Sequence, residues 1–332
     1  DGLFTTRDAF ALRQRLHGAG CRACLIINEG AHVRAELPGL LLVDSVVAHN
    51  PPVWDHVLHF LDTNLRPGSA PDYFATTPPV LFQLRIPSGY IAPPRYLGFG
   101  AWPPENAHRR DLTLGPPALN QRQVGAAGKS AAQWRQDDGR CEVTLAFGRA
   151  TGINVQLLSG ELVLFDSGSY TTTRLRHVNA SAAQVFLSRP MGGVRLCGLP
   201  NASLDVRAFS ANDSTLTRPA AQTTPRYQLA VYLWDVEPTG AVAGLITRGV
   251  RNVWTPGQLG PGGFDGSGQP LTVEMPAVCV DLPRGNMIGL GVALYDPAFT
   301  PANEDSALRV QVACDGRSRL ELPILEGARP AS

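Results

Sequence analysis

Leu204-Asp205-Val206-Arg207-Ala208-Phe209 alternates apolar and polar side chains from end to end. A period of two places one face on a core and the other toward water, which is the pattern of a half-buried strand. Working outward, residues 81–86, 142–147, 227–236, 271–275, 288–294, 308–312 and 320–324 form further short apolar or alternating runs. Pro, Gly, Asn or Asp stand between most of them, and few stretches among them keep a helical period. The expectation is a mainly β fold: a two-sheet antiparallel sandwich, a jelly roll, over residues 80–332. Residues 255–270 should be a long loop of little apolar content.

Before residue 67 the period changes. Thr5 or Thr6 can cap a helix carrying Phe10, Leu12 and Leu16, with Gly18 or Gly20 ending it. Cys24-Leu25-Ile26-Ile27-Asn28-Glu29-Gly30-Ala31-His32 then reads as a buried parallel strand running out into a polar loop. Pro51-Pro52 opens a second helix with Trp54, Val57, Leu58, Leu61 and Leu65 on one face, and Asp55, His56, His59 and Asp62 on the other. Residues 1–66 therefore read as the C-terminal remnant of an α/β-hydrolase domain. A Pro- and Gly-rich connection over 67–79 leads to the sandwich.

In open α/β sheets chemistry gathers at the carboxyl edge of the strands. An acid, a helix, a strand and then a histidine is the closing half of a hydrolase whose chain order is Ser, Asp, His. His32 is the candidate general base, against the plainer reading of a loop histidine at a strand end. Asp1 is the candidate acid that fixes its tautomer, against an ordinary N-terminal residue, and Asp8 is the fallback inside the helix. The nucleophilic serine would precede residue 1. A mechanism led by the N-terminal residue itself is excluded, because such enzymes use Ser, Thr or Cys there.

Other signals are weaker. Cys21-Arg22-Ala23-Cys24 precedes a strand instead of opening a helix, and no second such pair exists to complete a zinc site. His56 and His59 should be solvated, and Glu29 merely exposed. Gly125-Ala126-Ala127-Gly128-Lys129-Ser130 lacks the glycine a phosphate loop needs where Gln123 stands. Ser167 and Ser169 lack the frame of a nucleophile elbow. Tyr232, Trp234 and Trp254 read as sandwich core and rim, or alternatively as sugar-stacking aromatics of a binding module.

The 332 residues carry a net charge of +1, with one lysine, Lys129, among 29 basic residues. That balance argues against a nucleic-acid partner and against a polybasic membrane contact. The apolar run at 40–47 is too short for a span and contains Asp44. The six cysteines have no obvious pairing and are expected as free, mostly buried thiols. The chain does not begin with methionine, so the lack of a signal peptide leaves the compartment open, the cytoplasm being the leaning.

Several blocks resemble the C-terminal domain of Xaa-Pro dipeptidyl-peptidases and cocaine esterases. They are Phe186-Leu187-Ser188-Arg189-Pro190 with Val194-Arg195-Leu196-Cys197-Gly198, and residues 230–240 (AVYLWDVEPTG) with 245–249. Leu282-Pro283-Arg284-Gly285-Asn286-Met287-Ile288-Gly289-Leu290 is similar to a third block, in which most relatives have His-Arg where Asn286-Met287 stand. Ala101-Trp102-Pro103-Pro104 resembles the family's approach to its sandwich. The resemblance covers nearly the whole chain, in the family's order. It implies a serine hydrolase acting on a peptide or small acyl ester, without cofactor or metal, and it makes His32 and Asp1 the family's histidine and acid. It further implies an N-terminal hydrolase and cap portion as the missing partner, and it allows a homodimer. This chain alone is then expected to be inactive. The rival from another class is a non-enzymatic β-sandwich binding module, for carbohydrate for example.

Overall fold

The structure is a computed structural model and describes residues 6–27, 52–66, 68, 71–84, 95–115, 142–147, 183–210, 227–253, 270–296 and 307–325. It is mainly β. Helix α1 (Thr6–Gly18) leads to strand β1 (Leu25–Ile27), and helix α2 (Pro52–Leu65) and the short α3 (Tyr73–Thr76) lead to β2 (Val80–Leu84) and β3 (Arg95–Phe99). Helix α1 ends as its sequence requires. Gly20 takes a positive φ of 78°, its N–H bonds to the His17 carbonyl, and the Cys21 N–H reaches back to the Leu16 carbonyl. That is a Schellman closure.

β1 pairs in parallel with β2, Ile26 opposite Leu81, and β2 pairs antiparallel with β3. The run at 81–86, expected in the sandwich, therefore extends the sheet of β1 instead. Alternation shows that a strand has a buried face; it does not show which sheet will take it.

The remaining strands build the sandwich. One sheet has the order β11 (Val242–Val253), β10 (Tyr227–Val236), β14 (Met287–Ala293), β6 (Ala183–Leu187). Another has the order β12 (Leu271–Glu274), β8 (Asn201–Leu204), β16 (Arg319–Leu325), β7 (Gly192–Gly198), β13 (Val278–Arg284), with β4 (Ala107–Thr113) also on β16. A third sheet places β15 (Leu308–Ala313) between β5 (Glu142–Ala146) and β9 (Val206–Ser210). One core joins all three: Leu229, Val231 and Leu233 of β10 meet Leu196, Leu204, Leu320 and Leu322 together with Val143, Leu145 and Val310. β4 was not foreseen because its polar sequence, AHRRDLT, lies mostly exposed and shows no apolar period.

The alternating stretch at 204–209 is two strands. Leu204 closes β8 in one sheet, Val206 opens β9 in another, and Asp205 turns the corner between them. Asp205 N–H bonds to Ser318 Oγ at 2.9 Å, and Arg317 donates to its carboxylate at 2.7 Å. Alternation survives the corner because both sheets face the same core, where Leu204 and Val206 are both buried.

β10 is buried at every position. Its second face carries Ala230, Tyr232, Trp234 and Val236 in a separate apolar cluster. A Cβ on Gly291 would run into the Trp234 ring, so glycine there lets the indole lie flat on β14. Several buried charges are paired. Arg195 binds Asp281 through two hydrogen bonds, at 2.6 and 2.8 Å, across β7 and β13. Asp296, fully buried, accepts from Tyr232 at 2.9 Å and from Arg248 at 3.2 Å.

The expectation of free thiols is corrected. Cys197 and Cys279, opposite one another on β7 and β13, form a disulfide, and Cys314 is also disulfide-bonded. Pairing depends on strand register, which spacing along the chain does not reveal. Cys21 and Cys24 are free.

Candidate active site

β1 and β2 run side by side in the same direction, so both carboxyl ends point to one edge of their sheet. β1 stops at Ile27, and His32 is reached five positions later in the sequence. His32, Glu29 and Asp1 lie outside the described residues, as do Trp254, Ser167, Ser169 and the segments 40–47, 125–130 and 255–269. What is described is the frame around them: the helix after Asp1, the strand before His32 and the helix after it.

α1 is seated on the sandwich by its first turns. Thr6 Oγ1 accepts from the Ala277 N–H at 2.9 Å, and Arg7 pairs with Glu274 at the end of β12. Phe10 stacks on Trp102 with centroids 4.7 Å apart, and Phe82 of β2 stacks on Trp102 at 5.0 Å. Trp102 thus lies between α1 and β2, in an apolar cluster that also holds Cys197, Cys279 and Ala277. Offset-stacked aromatics of this kind add about 1 kcal/mol beyond their buried area. The Trp102–Pro103 peptide is cis.

Helix α2 covers the span expected from its period, but it faces the other way. Its half-buried side chains are His56, Val57, His59 and Thr63, while Leu58, Leu61 and Leu65 are exposed, Leu65 at 73 %. The histidines expected in solvent pack instead on aromatic rings. His56 meets Tyr73 and Tyr96 edge-on, and His59 meets Tyr73 at 5.2 Å with Nε2 3.2 Å from the Pro71 carbonyl. Thr63 Oγ1 donates to the same carbonyl. Burial holds the His56 imidazole below the usual histidine range, with Asp55 opposing and His59 reinforcing that shift. Burial pushes the Tyr96 phenol up to about 12.

The Cys-x-x-Cys pair sits at the opposite, amino-terminal end of β1. Cys24 Sγ donates to the Pro78 carbonyl and accepts from the Tyr73 hydroxyl at 3.7 Å, and burial raises its thiol. Neighbouring Arg22 lies over Phe74 and pairs with Asp72, the N-cap of α3. Its hydrogen bond is the main reason the Asp72 carboxyl is held below the ordinary carboxylate range. Among the described residues no group of three or more His, Cys, Asp or Glu side chains is placed to hold a metal ion. No described helix is long and apolar enough to cross a membrane.

The family blocks come together at one corner of the sandwich. Asn286 Nδ2 donates to the buried Asp235 at 2.7 Å, Ser188 Oγ accepts from Ile288 N–H, and the Met191 N–H bonds to the Asn286 carbonyl. Asn286 thus ties the third block to the second. Tyr232 and Trp234 stack on one another at 5.6 Å inside the protein, and neither is a rim residue.

A family model described as the X-Pro dipeptidyl-peptidase C-terminal non-catalytic domain matches residues 73–313. No curated protein matches the chain in sequence. Among solved structures, an aminopeptidase from a marine sediment archaeon, Thaumarchaeota archaeon, superposes over 98 % of this chain and 54 % of its own, at 16 % identity and a TM-score of 0.58. An α-amino acid ester hydrolase superposes over 95 % of this chain and 52 % of its own, at 14 % identity and a TM-score of 0.56. At such identities the likeness is one of fold. The chain spans about half the length of these two proteins.

Proposed function

The chain belongs to the family of X-Pro dipeptidyl-peptidase C-terminal non-catalytic domains, and on that premise we propose that it is the C-terminal part of a serine hydrolase. In this reading residues 1–66 close an α/β-hydrolase domain, and the sandwich, a jelly roll, braces it. The observation that carries the reading is the parallel β1–β2 pair: β1 ends at Ile27, at the carboxyl edge of its sheet, five positions before His32 in the sequence. His32 would take the proton of a serine hydroxyl supplied from outside this sequence and return it to the leaving group. Asp1 would hold its Nδ1 proton and stabilise the imidazolium. Carbonyl attack, acyl-enzyme and hydrolysis by water then follow, on an N-terminal Xaa-Pro peptide or a small acyl ester. The outward leucines of α2 support a missing hydrolase portion, because an apolar helix face calls for an apolar partner.

The chain by itself is then inactive, and a fluorophosphonate probe should leave it unlabelled. In the full-length protein His32→Ala should lower turnover of an Ala-Pro-anilide or a short acyl ester by at least about a thousandfold while folding survives. Near-normal turnover in that variant would exclude His32 as the base. The rival carbohydrate-binding reading has less support, since Tyr232 and Trp234 are buried and offer no sugar platform.

A further inference from the structure

We infer that this chain is made in an oxidising compartment, where a thiol–disulfide oxidant closes the Cys197–Cys279 bridge before the sandwich is covered. The sequence leaned toward the cytoplasm and toward free thiols; the bridge bears against both, whether or not the chain comes from a hydrolase. Cys197 on β7 stands directly opposite Cys279 on β13, and the two are bonded across 82 positions of sequence. Cys314, just past the end of β15, is disulfide-bonded as well. All three residues are closed off, Cys197 and Cys314 at 0 % exposure and Cys279 at 2 %. Phe10 of α1, Phe82 of β2 and Trp102 share the apolar cluster that holds the Cys197–Cys279 bridge.

Burial decides what kind of bridge this is. Disulfides in a reducing cytosol are mostly transient pairs that catalyse or sense. Such pairs need a sulfur that a thiolate can reach, and neither Cys197 nor Cys279 offers one. The bridge is therefore structural, of the kind that forms and persists where the surroundings oxidise. Sulfurs without access are also beyond an oxidant once the fold has closed, so the bond forms before α1 and β2 are laid over β7 and β13. In that step the two thiols give up two protons and two electrons as the S–S bond forms. The disulfide of the oxidant takes up both electrons and leaves as a dithiol, by way of a mixed disulfide. Exposure alone does not decide which cysteines are oxidised, since Cys21 is exposed and free while the buried ones are bonded.

The test takes the full-length protein from its source cells, lysed in denaturant with N-ethylmaleimide so that no thiol oxidises afterwards. Peptide mass spectrometry should find Cys197 and Cys279 as one linked pair in the extracytoplasmic fraction, with Cys21 carrying the label as the control for complete blocking. Label on Cys197 and Cys279, or the linked pair in chains from the cytosolic fraction, would overturn the compartment. The order of events is read on the purified protein with dithiothreitol. Reduction of the bridge should be at least about tenfold slower in the native protein than in denaturant, because thiolate attack needs access. Equal rates would overturn closure before covering.

Discussion

The two regions of this molecule treat apolar surface in opposite ways. In the sandwich β10 is buried on both faces, and charged side chains taken inside, such as Arg195 and Asp296, have partners. In the helical region Leu12, Leu16, Leu58, Phe60, Leu61 and Leu65 stand exposed, and these are all the exposed large apolar side chains among the described residues. One region has a closed core of its own. The other leaves an apolar face open: α2 carries a leucine stripe that nothing described here covers.

The largest expected effect comes from cutting the staple of the closed region. The Cys197–Cys279 bridge spans 82 positions, so replacing both residues with alanine should cost about 4 kcal/mol through the entropy of the unfolded chain. Denaturant unfolding of the sandwich reads this directly. An unchanged midpoint would mean that the bridge is not formed in the protein as produced.

A smaller effect probes the open region. His56 lies below its ordinary pKa when folded and returns to the usual histidine range, near 6.5, when unfolded. Below that value the unfolded chain binds the extra proton, so the seating of α2 is strongest above about pH 6.5 and weakens as pH falls through the window beneath it. His56→Gln should flatten that dependence in amide exchange of α2, while exchange in β10 stays level. Exchange in α2 that ignores pH in the parent would break the assignment.

The smallest expected effect is the sharpest on the comparison itself. Leu58→Ser with Leu65→Ser should change the stability of the isolated chain by less than about 0.5 kcal/mol and raise its solubility. In the full-length protein the same pair should cost about 2 kcal/mol or more. Equal, small effects in both would mean that the leucine face has no cover.

Period and punctuation were enough to read some of the sandwich strands, while β4, β6, β7, β11 and β13 were not among the runs they marked. Residues 227–236 and 271–274 lie where alternation and bounding turns place them. Partnership was not legible. Residues 80–84 pair with β1, the strand pattern of 204–209 changes sheet at Asp205, and Cys197 meets Cys279, because each depends on register between segments far apart in sequence. The orientation of α2 was hidden for a related reason. A helical period identifies an apolar face, but the neighbours at hand, Tyr73 and Tyr96, suit the histidine face better. Around the candidate site, β1 was legible, and the contact between Ala277 and Thr6 was not.

β16 sits at the centre of its sheet, paired with β4 on one side and with β7 and β8 on the other. Arg109 of β4 waits 212 positions for Glu321, its partner on β16. At ribosomal rates that interval is about 10 to 40 seconds, during which β4, β7 and β8 have emerged with their shared partner not yet made. The nascent protein therefore holds unpaired strand edges throughout that interval, and its demand on chaperones falls as β16 leaves the ribosome.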